Sequence, residues 1–312
     1  MILFRADSSL QIGTGHIMRD LVLASQLQKE FPHAKIVFAT QNLEGNINYK
    51  ITEAGYEIIT LNSHAIEELL EVIKAWHPEG ICRSARVHMK MLVIDHYSID
   101  AEYEKELKDK NPMMKILSFD DTYEKHFCDI LLNHNISANA NKYKNLVPTN
   151  CELRCGMKYT LLRDEFYESK RRSKKKNSKR NILIAMGGTD NADNNIKILE
   201  VLKKIKNIKV RLVTTTANKN LKKLQNYTRN KKWVQLHINT NKIAKWMAEA
   251  DFGIITPSVT ANEAYFMKLP FIVIKIASNQ DDMYSYLKRM RYKALYKFNA
   301  YGLKKVIKSY FL

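Results

Sequence analysis

Short apolar runs of strand length alternate with amphipathic helical patterns from one end of the chain to the other. Runs that are apolar on both faces are typical of parallel strands covered by helices on two sides. The strands are predicted at Met1–Phe4, Ile36–Ala39, Met91–Ile94, Ile116–Phe119, Ile130–Leu132, Ile182–Met186, Val210–Thr214, Val234–His237, Phe252–Ile255 and Phe271–Ile274. The helices are predicted at Ile17–Leu27, Ile66–Trp76, Asn195–Ile205, Leu221–Tyr227, Ile243–Met247, Val259–Met267 and Met283–Met290. The alternation predicts an α/β fold of two doubly wound, Rossmann-like domains.

The chain has 312 residues, which is enough to bury two hydrophobic cores. We expect an N-terminal domain over residues 1–165, a basic linker over residues 166–181 and a C-terminal domain over residues 182–312. A last helical stretch, Leu303–Phe311, is expected to pack back on the N-terminal domain.

The composition excludes several classes of protein. No stretch approaches the roughly 18 apolar residues of a membrane-spanning helix, and the start of the chain lacks the pattern of a signal peptide. Four cysteines in a chain of this length do not make a disulfide scaffold. The spacing of Cys151 and Cys155 lacks the second pair of ligands that a zinc site needs. We therefore expect a cytoplasmic protein with no membrane span and no metal site.

The positive charge of the chain belongs to its second half. Residues 1–150 contain 16 Lys and Arg against 20 Asp and Glu, whereas residues 151–312 contain 35 against 12. Eight of these cations lie between Lys170 and Arg180. Such a run is typical of a solvated connector, but a basic half also fits a protein that binds an anion: a nucleic acid, a membrane surface or a phosphorylated small molecule.

A glycine-containing loop follows the first predicted strand. Gly13 and Gly15 permit positive φ angles and the close approach of a ligand, but Met18 stands where a dinucleotide fingerprint has its third glycine. His16 falls in the first turn of a helix, where the positive end of the helix dipole disfavours its protonation. Two roles stay open for His16: a general base near neutral pH, or a structural residue that caps the helix.

A second glycine turn follows the first strand of the C-terminal half. Gly187 and Gly188 lie between that strand and a helix, and exposed N–H groups at such a turn form an anion site. The neighbouring Asp190 would repel a phosphate unless its side chain points away. The alternative interpretation is a tight turn without a ligand.

Small hydroxyl residues open a later helix of the same half. Ser258 and Val259 begin it and offer donors to a phosphate, and Glu263 lies one turn further on, where it could accept both hydroxyls of a ribose. The alternative is an ordinary serine N-cap with a surface glutamate.

Acidic residues also follow two strands of the first half. Asp95 and Tyr97 close a buried strand, where one of them contacts a sugar or orients His16; a structural hydrogen-bond cluster is the alternative. Asp120 and Asp121 lack further ligands at a defined spacing, so a helix N-cap is a better interpretation than a metal pair.

Several of these motifs occur together in one known family. They are Phe4–Ser9, Gln11–Ile17, Ile94–Tyr97, Leu117–Asp121, Cys128–Asn133, Arg154–Gly156, Leu162–Phe166 and Met186–Asp190. In these segments the chain resembles the UDP-sugar hydrolases of the pseudaminic acid pathway, the PseG family, from the first strand to about residue 290. More distantly its organisation resembles the peptidoglycan N-acetylglucosamine transferase MurG and other GT-B glycosyltransferases. His77–Lys90 is an insertion relative to the family pattern and is expected on a surface loop.

The resemblance implies a GT-B-like fold whose two domains face a central cleft. It also implies hydrolysis of the glycosidic C1–O bond of UDP-2,4-diacetamido-2,4,6-trideoxy-β-L-altropyranose, which releases UDP and the free sugar. His16 corresponds to the base that activates water for attack on C1 with inversion. Arg163 would meet the diphosphate, and Glu263 the ribose. The further substrate-binding candidates are Gly13, Gly15, Asp95, Tyr97, Gly187, Gly188, Ser258, Val259 and Asn262.

This chemistry needs a positioned water, a base and donors that stabilise the leaving UDP, so no metal or redox cofactor is expected. The implied biological role is the supply of a nonulosonic acid precursor for surface glycosylation, which is flagellin glycosylation in this family. We expect a monomer whose partners are the UDP-linked sugar and UDP, with no nucleic acid. Two alternatives remain: a GT-B glycosyltransferase that uses a UDP-N-acetyl-sugar donor, and a basic nucleic-acid-binding protein without enzyme activity.

Overall fold

The computed structural model describes residues 1–75, 91–170, 180–188, 190 and 192–311. The chain divides into two compact units, Met1–Leu161 and Leu162–Leu312. The division thus falls at Leu161, whereas the sequence analysis ends the first domain at residue 165. The insertion at residues 77–90 and the part of the predicted linker at residues 171–179 lie outside the described residues.

The first unit is built around one parallel sheet. Its strands are β1 (Ile2–Ala6), β2 (Ile36–Gln41), β3 (Glu57–Leu61), β4 (Met91–Asp95), β5 (Lys115–Phe119), β6 (Ile130–Asn133) and β7 (Glu152–Cys155). Its described helices are α1 (Gly15–Glu30), α2 (Tyr49–Glu53), α3 (Ile66–Ala75) and α4 (Ala101–Lys110). The strands pair in the order β3-β2-β1-β4-β5-β6-β7, so the direction of winding changes between β1 and β4. Ligands of such sheets bind at the carboxyl ends of the strands that flank this point.

The second unit repeats the scheme. Its strands are β8 (Arg180–Ala185), β9 (Ile208–Thr214), β10 (Val234–Ile238), β11 (Phe252–Ile255), β12 (Phe271–Ile274) and β13 (Lys293–Leu295). Its described helices are α5 (Asp164–Lys170), α6 (Asn194–Leu202), α7 (Leu221–Thr228), α8 (Ile243–Glu249), α9 (Val259–Phe266), α10 (Asp281–Arg289) and α11 (Ala300–Phe311). The order β10-β9-β8-β11-β12-β13 places the change of winding between β8 and β11.

Successive strand residues enter two different apolar layers, which explains why the central strands are apolar on both faces. In β1, Leu3 packs in the layer that contains Leu69 of α3, whereas Phe4 packs in the layer that contains Ile17 of α1. In the second unit, α11 buries Leu303 in the core of its own unit. Helices cover both faces of each sheet, as the continuous apolar runs predict. The predicted class of two doubly wound α/β domains is confirmed.

Elements whose residues are partly exposed or polar are absent from the sequence prediction. The strands β3, β7 and β13 lie at sheet edges, where one side of the strand has no neighbour and polar residues such as Glu57 and Glu152 are tolerated. The missed helices are α2, α4 and α5. In α4 the apolar stripe is interrupted because Glu104 is fully buried in its core-facing side.

The buried carboxylate of Glu104 is satisfied by a network that no sequence motif signals. It accepts hydrogen bonds from the Ser118 hydroxyl and from the backbone N–H of Phe127, both at 2.5 Å. His126 Nδ1 lies 2.8 Å from the same carboxylate, and its Nε2 lies 3.9 Å from Asp120 Oδ1. A protonated His126 thus lies between two carboxylates.

The predicted helix N-cap at Asp120 is wrong. Its carboxylate accepts hydrogen bonds from the N–H of Thr122 at 3.0 Å and of Tyr123 at 2.7 Å, but no described helix follows. Tyr123 has φ 64°, so the chain turns instead of continuing as a helix. Asp120 therefore closes a turn.

The network should make the stability of the protein depend on pH through His126. Burial lowers the pKa of His126, but hydrogen bonds to Asp120 and Glu104 outweigh it and raise the pKa to about 10. The folded state therefore holds this proton more tightly than an unfolded chain, whose histidines titrate near 6.5. The resulting stability is fully present below about pH 6.5 and is lost as the pH rises towards about 10.

We expect His126→Gln to lower the free energy of unfolding most at about pH 6.5 and least at about pH 10, as measured by urea unfolding. The exposed His33 provides the control, because His33→Gln should leave the pH dependence unchanged. A His126→Gln deficit that stays constant over this range would contradict the assignment.

Candidate active site

The loop after β1 delivers His16 to the start of α1. The Ser9 hydroxyl accepts two backbone N–H groups of the loop, at 3.0 and 3.1 Å, and Ser9 also exchanges two backbone hydrogen bonds with Gly13. Gly13 has φ 86°, a conformation that side chains rarely adopt, whereas Gly15 needs no positive φ. A Cβ at either glycine would meet no atom within 4 Å, so the backbone is open to close approach.

Asp95, the last residue of β4, lies against His16. It stands beside Ala6 in the parallel β1–β4 ladder, so α1, which follows β1, starts next to the end of β4. Asp95 Oδ1 lies 2.6 Å from His16 Nδ1. An ionised carboxylate only accepts hydrogen bonds, so we assign the hydrogen of His16 to Nδ1, which leaves a free lone pair on Nε2. This tautomer is the one that a general base needs.

Arg19 holds Asp95 from the same face of α1. It lies three residues after His16, and its Nε and Nη2 donate to the two oxygens of Asp95 at 2.6 and 2.5 Å. Its Nη1 donates to Asp121 at 3.2 Å, and the guanidinium lies 4.9 Å from the centre of the Phe119 ring. Asp95 is therefore fixed in position by a bidentate partner.

Asp95 and Arg19 each stabilise the charged form of the other. Burial raises the pKa of Asp95, but the charge of Arg19 and the hydrogen bonds from Arg19 and His16 outweigh it and hold the pKa well below its ordinary range. Burial likewise opposes the charge of Arg19, yet Asp95 keeps the pKa of that guanidinium above its usual value. Both groups are therefore ionised at neutral pH, and Asp95 accepts from His16 as a carboxylate.

Tyr97 packs on His16 and joins the same network. The two rings meet edge to face at 4.8 Å, and the Tyr97 hydroxyl donates to Asp121 Oδ1 at 3.0 Å. Burial, followed by the charge of Asp121, raises the pKa of Tyr97, so the phenol stays neutral. Tyr97 nevertheless remains 59% exposed, which leaves its ring accessible to a ligand.

A second buried cluster anchors the start of the loop. Asp7 accepts hydrogen bonds from Arg5 at 2.9 Å and from the backbone N–H of Gln41 at 2.7 Å, and His96 Nε2 lies 3.0 Å from it. Burial opposes ionisation of Asp7, but His96 and Arg5 outweigh it and hold its pKa below the ordinary range. His96 thus contacts Asp7 at the start of the loop, while His16 lies in α1 at the end of the loop.

In the second unit, the glycine turn after β8 is closed by its own aspartate. Gly187 has φ 81°, and a Cβ on Gly188 would lie 2.9 Å from Thr215 Oγ1, so both positions favour glycine. Asp190 accepts hydrogen bonds from the N–H groups of Asn194 at 2.8 Å and Asn195 at 3.1 Å. Asp190 therefore satisfies these two amides at the start of α6, while an anion site at Gly187 and Gly188 stays a prediction.

The start of α9 presents a different arrangement. Ser258 is its N-cap residue, yet among the described side chains none caps this helix, because the Ser258 hydroxyl lies 2.9 Å from that of Thr256. The first turn begins at Val259, and within it the N–H of Ala261 donates to the Ser258 carbonyl at 2.8 Å, so the helix start is closed by the backbone at that amide but by no side chain. Asn262 follows on the buried side of the helix. An anion at this helix start would be favoured by the helix dipole.

Arg163 and Glu263, which the resemblance assigned to different parts of one nucleotide, are neighbours. Arg163 Nη2 lies 3.4 Å from Glu263 Oε1, and its Nη1 lies 3.0 Å from Glu165 Oε1. Burial raises the pKa of Glu263 to about 7, although Arg163 opposes the shift. The Arg163 side chain is 30% exposed, so part of the guanidinium is open to a ligand.

Comparison with known proteins places the chain in a family. A protein of Campylobacter jejuni, a UDP-2,4-diacetamido-2,4,6-trideoxy-β-L-altropyranose hydrolase, is 40% identical over 297 residues, which are 95% of this chain and 99% of that protein. This chain belongs to that hydrolase family. An uncharacterised protein of Methanocaldococcus jannaschii is 30% identical over 297 residues, which are 91% of this chain and 57% of that protein. A scan against protein-family models found no match.

Solved structures support the same fold. MurG of Acinetobacter baumannii matches with a TM-score of 0.63 and 11% identity over 99% of this chain and 90% of that chain. The spinosyn rhamnosyltransferase SpnG matches with a TM-score of 0.65 and 10% identity, over 99% and 91%. These likenesses show the fold alone and confirm the predicted GT-B-like class. Membership of the UDP-sugar hydrolase family confirms the predicted enzyme class, in preference to a nucleic-acid-binding protein without activity.

Some of the residues around His16 in this hydrolase-family member are not predicted from the sequence. Arg19 and Asp20 lie three and four residues after His16, a helical spacing that could have signalled a shared face. Asp121 follows Asp120, for which a helix N-cap is predicted in preference to a metal pair, but it binds Arg19 and Tyr97.

Two further findings concern the described residues only. They contain no group of three His, Cys, Asp or Glu side chains arranged for a metal ion. No helix among them is both long and apolar enough to cross a membrane.

Proposed function

We propose that this chain hydrolyses UDP-2,4-diacetamido-2,4,6-trideoxy-β-L-altropyranose at its glycosidic C1–O bond, with His16 as the general base and inversion at C1. The products are UDP and the free sugar. Family membership supports the substrate class. The contact of 2.6 Å between His16 Nδ1 and Asp95 carries the mechanism, because it leaves Nε2 as a proton acceptor.

In the proposed step, a water oxygen attacks C1 from the face opposite the UDP oxygen. The C1–O bond breaks and its electron pair leaves with UDP, while His16 Nε2 takes a proton from the water. Asp95 stabilises the imidazolium that forms, and Arg19 keeps Asp95 in place. Attack from the opposite face inverts the configuration at C1.

The second unit would supply the contacts for UDP. The uncapped start of α9 at Ser258 and Val259 and the partly exposed guanidinium of Arg163 can stabilise the charge that develops on the diphosphate. Glu263 would accept the ribose hydroxyls when it is ionised. In this proposal the enzyme acts as a cytoplasmic monomer and supplies a nonulosonic acid precursor for surface glycosylation.

The direct test measures UDP release from the UDP-linked sugar with neither acceptor nor metal added, and follows the anomeric proton of the sugar by NMR. Steady UDP release with the inverted anomer formed first is the expected result. Release of the retained anomer would overturn the single-displacement mechanism. UDP binding without release, until an acceptor alcohol is added, would identify a glycosyltransferase instead.

The binding of UDP should weaken below about pH 7, because the pKa of Glu263 is raised to about 7 by burial and the protonated carboxyl can no longer accept two hydroxyls. At one pH unit below this value only about a tenth of the protein is ionised at Glu263, so the apparent Kd should rise roughly tenfold. Glu263→Gln should bind UDP more weakly and lose this dependence. Isothermal titration calorimetry between about pH 6 and 8 measures both effects.

The exposed Glu168 provides the matched control, because Glu168→Gln should keep the affinity and pH dependence of the wild type. The phosphate of UDP also titrates near this range, but its contribution is common to all three proteins. An identical pH dependence in wild type and Glu263→Gln would remove Glu263 from the binding site.

A further inference from the structure

Asp20 is a buried carboxyl group with no described hydrogen-bond donor. Its side chain is 0% exposed, and neither carboxylate oxygen has a partner. It lies on α1, four residues after His16 and directly after Arg19. A buried carboxylate without any donor would cost several kcal/mol, so this group needs a physical explanation.

The carboxyl group of Asp20 lies close enough to that of Asp95 on β4 for the two side chains to interact by charge and by a hydrogen bond. Arg19 directs its Nε and Nη2 to Asp95 and its Nη1 to Asp121, and His16 Nδ1 also lies against Asp95, so these donors are used. Burial, followed by the negative charge of Asp95, raises the pKa of Asp20 well above its ordinary range, although the charge of Arg19 opposes the shift. When two carboxyl groups lie together and only one is paired with a cation, the paired group stays ionised and the other is protonated. Here Asp95 is paired with Arg19 and is the ionised group, so Asp20 is the protonated one.

His134, on the loop after β6, also interacts with the charges of Arg19 and Asp95. Burial, followed by the charge of Arg19, lowers the pKa of His134 to about 3, so this imidazole is neutral and does not supply a positive charge to Asp20. The charged groups that act on Asp20 are therefore Asp95 and Arg19, and burial together with Asp95 favours its protonated form.

We propose that Asp20 is a positioning residue that is protonated at neutral pH and donates its O–H to the carboxylate of Asp95, which orients Asp95 towards His16. This inference rests on the proposed role of His16 as the base. A single proton then satisfies both carboxyl groups, and Asp95 gains a further donor beside Arg19 and His16. Three residues would then support the base: Asp95 contacts His16, and Arg19 and Asp20 both contact Asp95.

Two substitutions separate a donor from a space-filling group. Asp20→Asn is neutral and keeps an N–H donor for Asp95, whereas Asp20→Leu has a similar size and no donor. We expect Asp20→Asn to retain kcat within about threefold, and Asp20→Leu to lose about tenfold or more in kcat with KM little changed. UDP affinity should stay the same in both, because the proposed UDP contacts lie in the second unit. Asp109→Asn and Asp109→Leu, on the exposed side of α4, are the matched controls.

Two spectroscopic readouts do not depend on turnover. Infrared difference spectra at neutral pH should contain the C=O band of a protonated carboxyl group in the wild type that Asp20→Asn lacks. Nitrogen NMR should place the hydrogen of His16 on Nδ1 in the wild type and Asp20→Asn, and show a mixture of tautomers in Asp20→Leu. Absence of the carboxyl band, or equal losses of kcat in Asp20→Asn and Asp20→Leu, would overturn the proposal. If the wild type shows the band but releases no UDP, the proposed function fails while the protonation of Asp20 stands.

Discussion

Replacement of His16 by alanine should reduce kcat for UDP release by about 10²–10⁴-fold, the usual contribution of a general base. The loss is expected because Asp95 contacts Nδ1 of His16, which leaves the lone pair of Nε2 to accept a proton from water. KM should change little, because a proton acceptor acts in the transition state more than in substrate binding. Steady-state kinetics of UDP release measure both values.

The fold should survive this change. Asp95 keeps its bidentate partner Arg19 when the imidazole is removed, so no charge is left unpaired. UDP affinity and the thermal midpoint therefore report whether the variant is intact, and His33→Ala at an exposed position is the matched control. A folded His16→Ala that binds UDP and retains near-normal kcat would show that another group accepts the proton.

Asp95→Asn should be as damaging to turnover and should also destabilise the protein. The amide can donate to Nδ1 of His16, which would move the ring hydrogen to Nε2 and block the base; the equivalent change in a Ser-His-Asp triad costs about 10⁴-fold. Arg19, which is buried, loses its charged partner at the same time. Removing one member of a buried pair costs about 3–5 kcal/mol, although Asp121 retains part of the interaction.

Kinetics, urea unfolding and nitrogen NMR of His16 separate these two effects. We expect the ring hydrogen on Nε2 in Asp95→Asn, together with a lower midpoint of unfolding. The exposed Asp109→Asn should change neither quantity. A variant that is destabilised but keeps its kcat would assign Asp95 to the fold and not to the base.

The central strands and their loops could be read from the sequence because their signals are local. The apolar run at Met1–Phe4 and the loop that ends at His16 lie within one short segment, and so do the strand and helix around Ser258. The edge strand β13 and the helix α4 could not be predicted from the local sequence, because they are stabilised by residues from other parts of the chain. In α4, Glu104 is buried only because Ser118, His126 and Phe127 come from other parts of the chain to satisfy it.

The sequence by itself determined the α/β class, the position of His16 in the first turn of a helix and the family to which the chain belongs. Only the tertiary structure determined which residue is the hydrogen-bond partner of His16. Asp95 is separated from it by 79 residues, and the two meet because β1 and β4 are parallel neighbours at the point where the winding changes. The same structure decided that Asp190 closes one helix start while that of α9 stays uncapped. A carboxylate has the same sequence signal whether it binds a histidine, an arginine or a backbone amide, and its partner is set by the packing of strands distant in sequence.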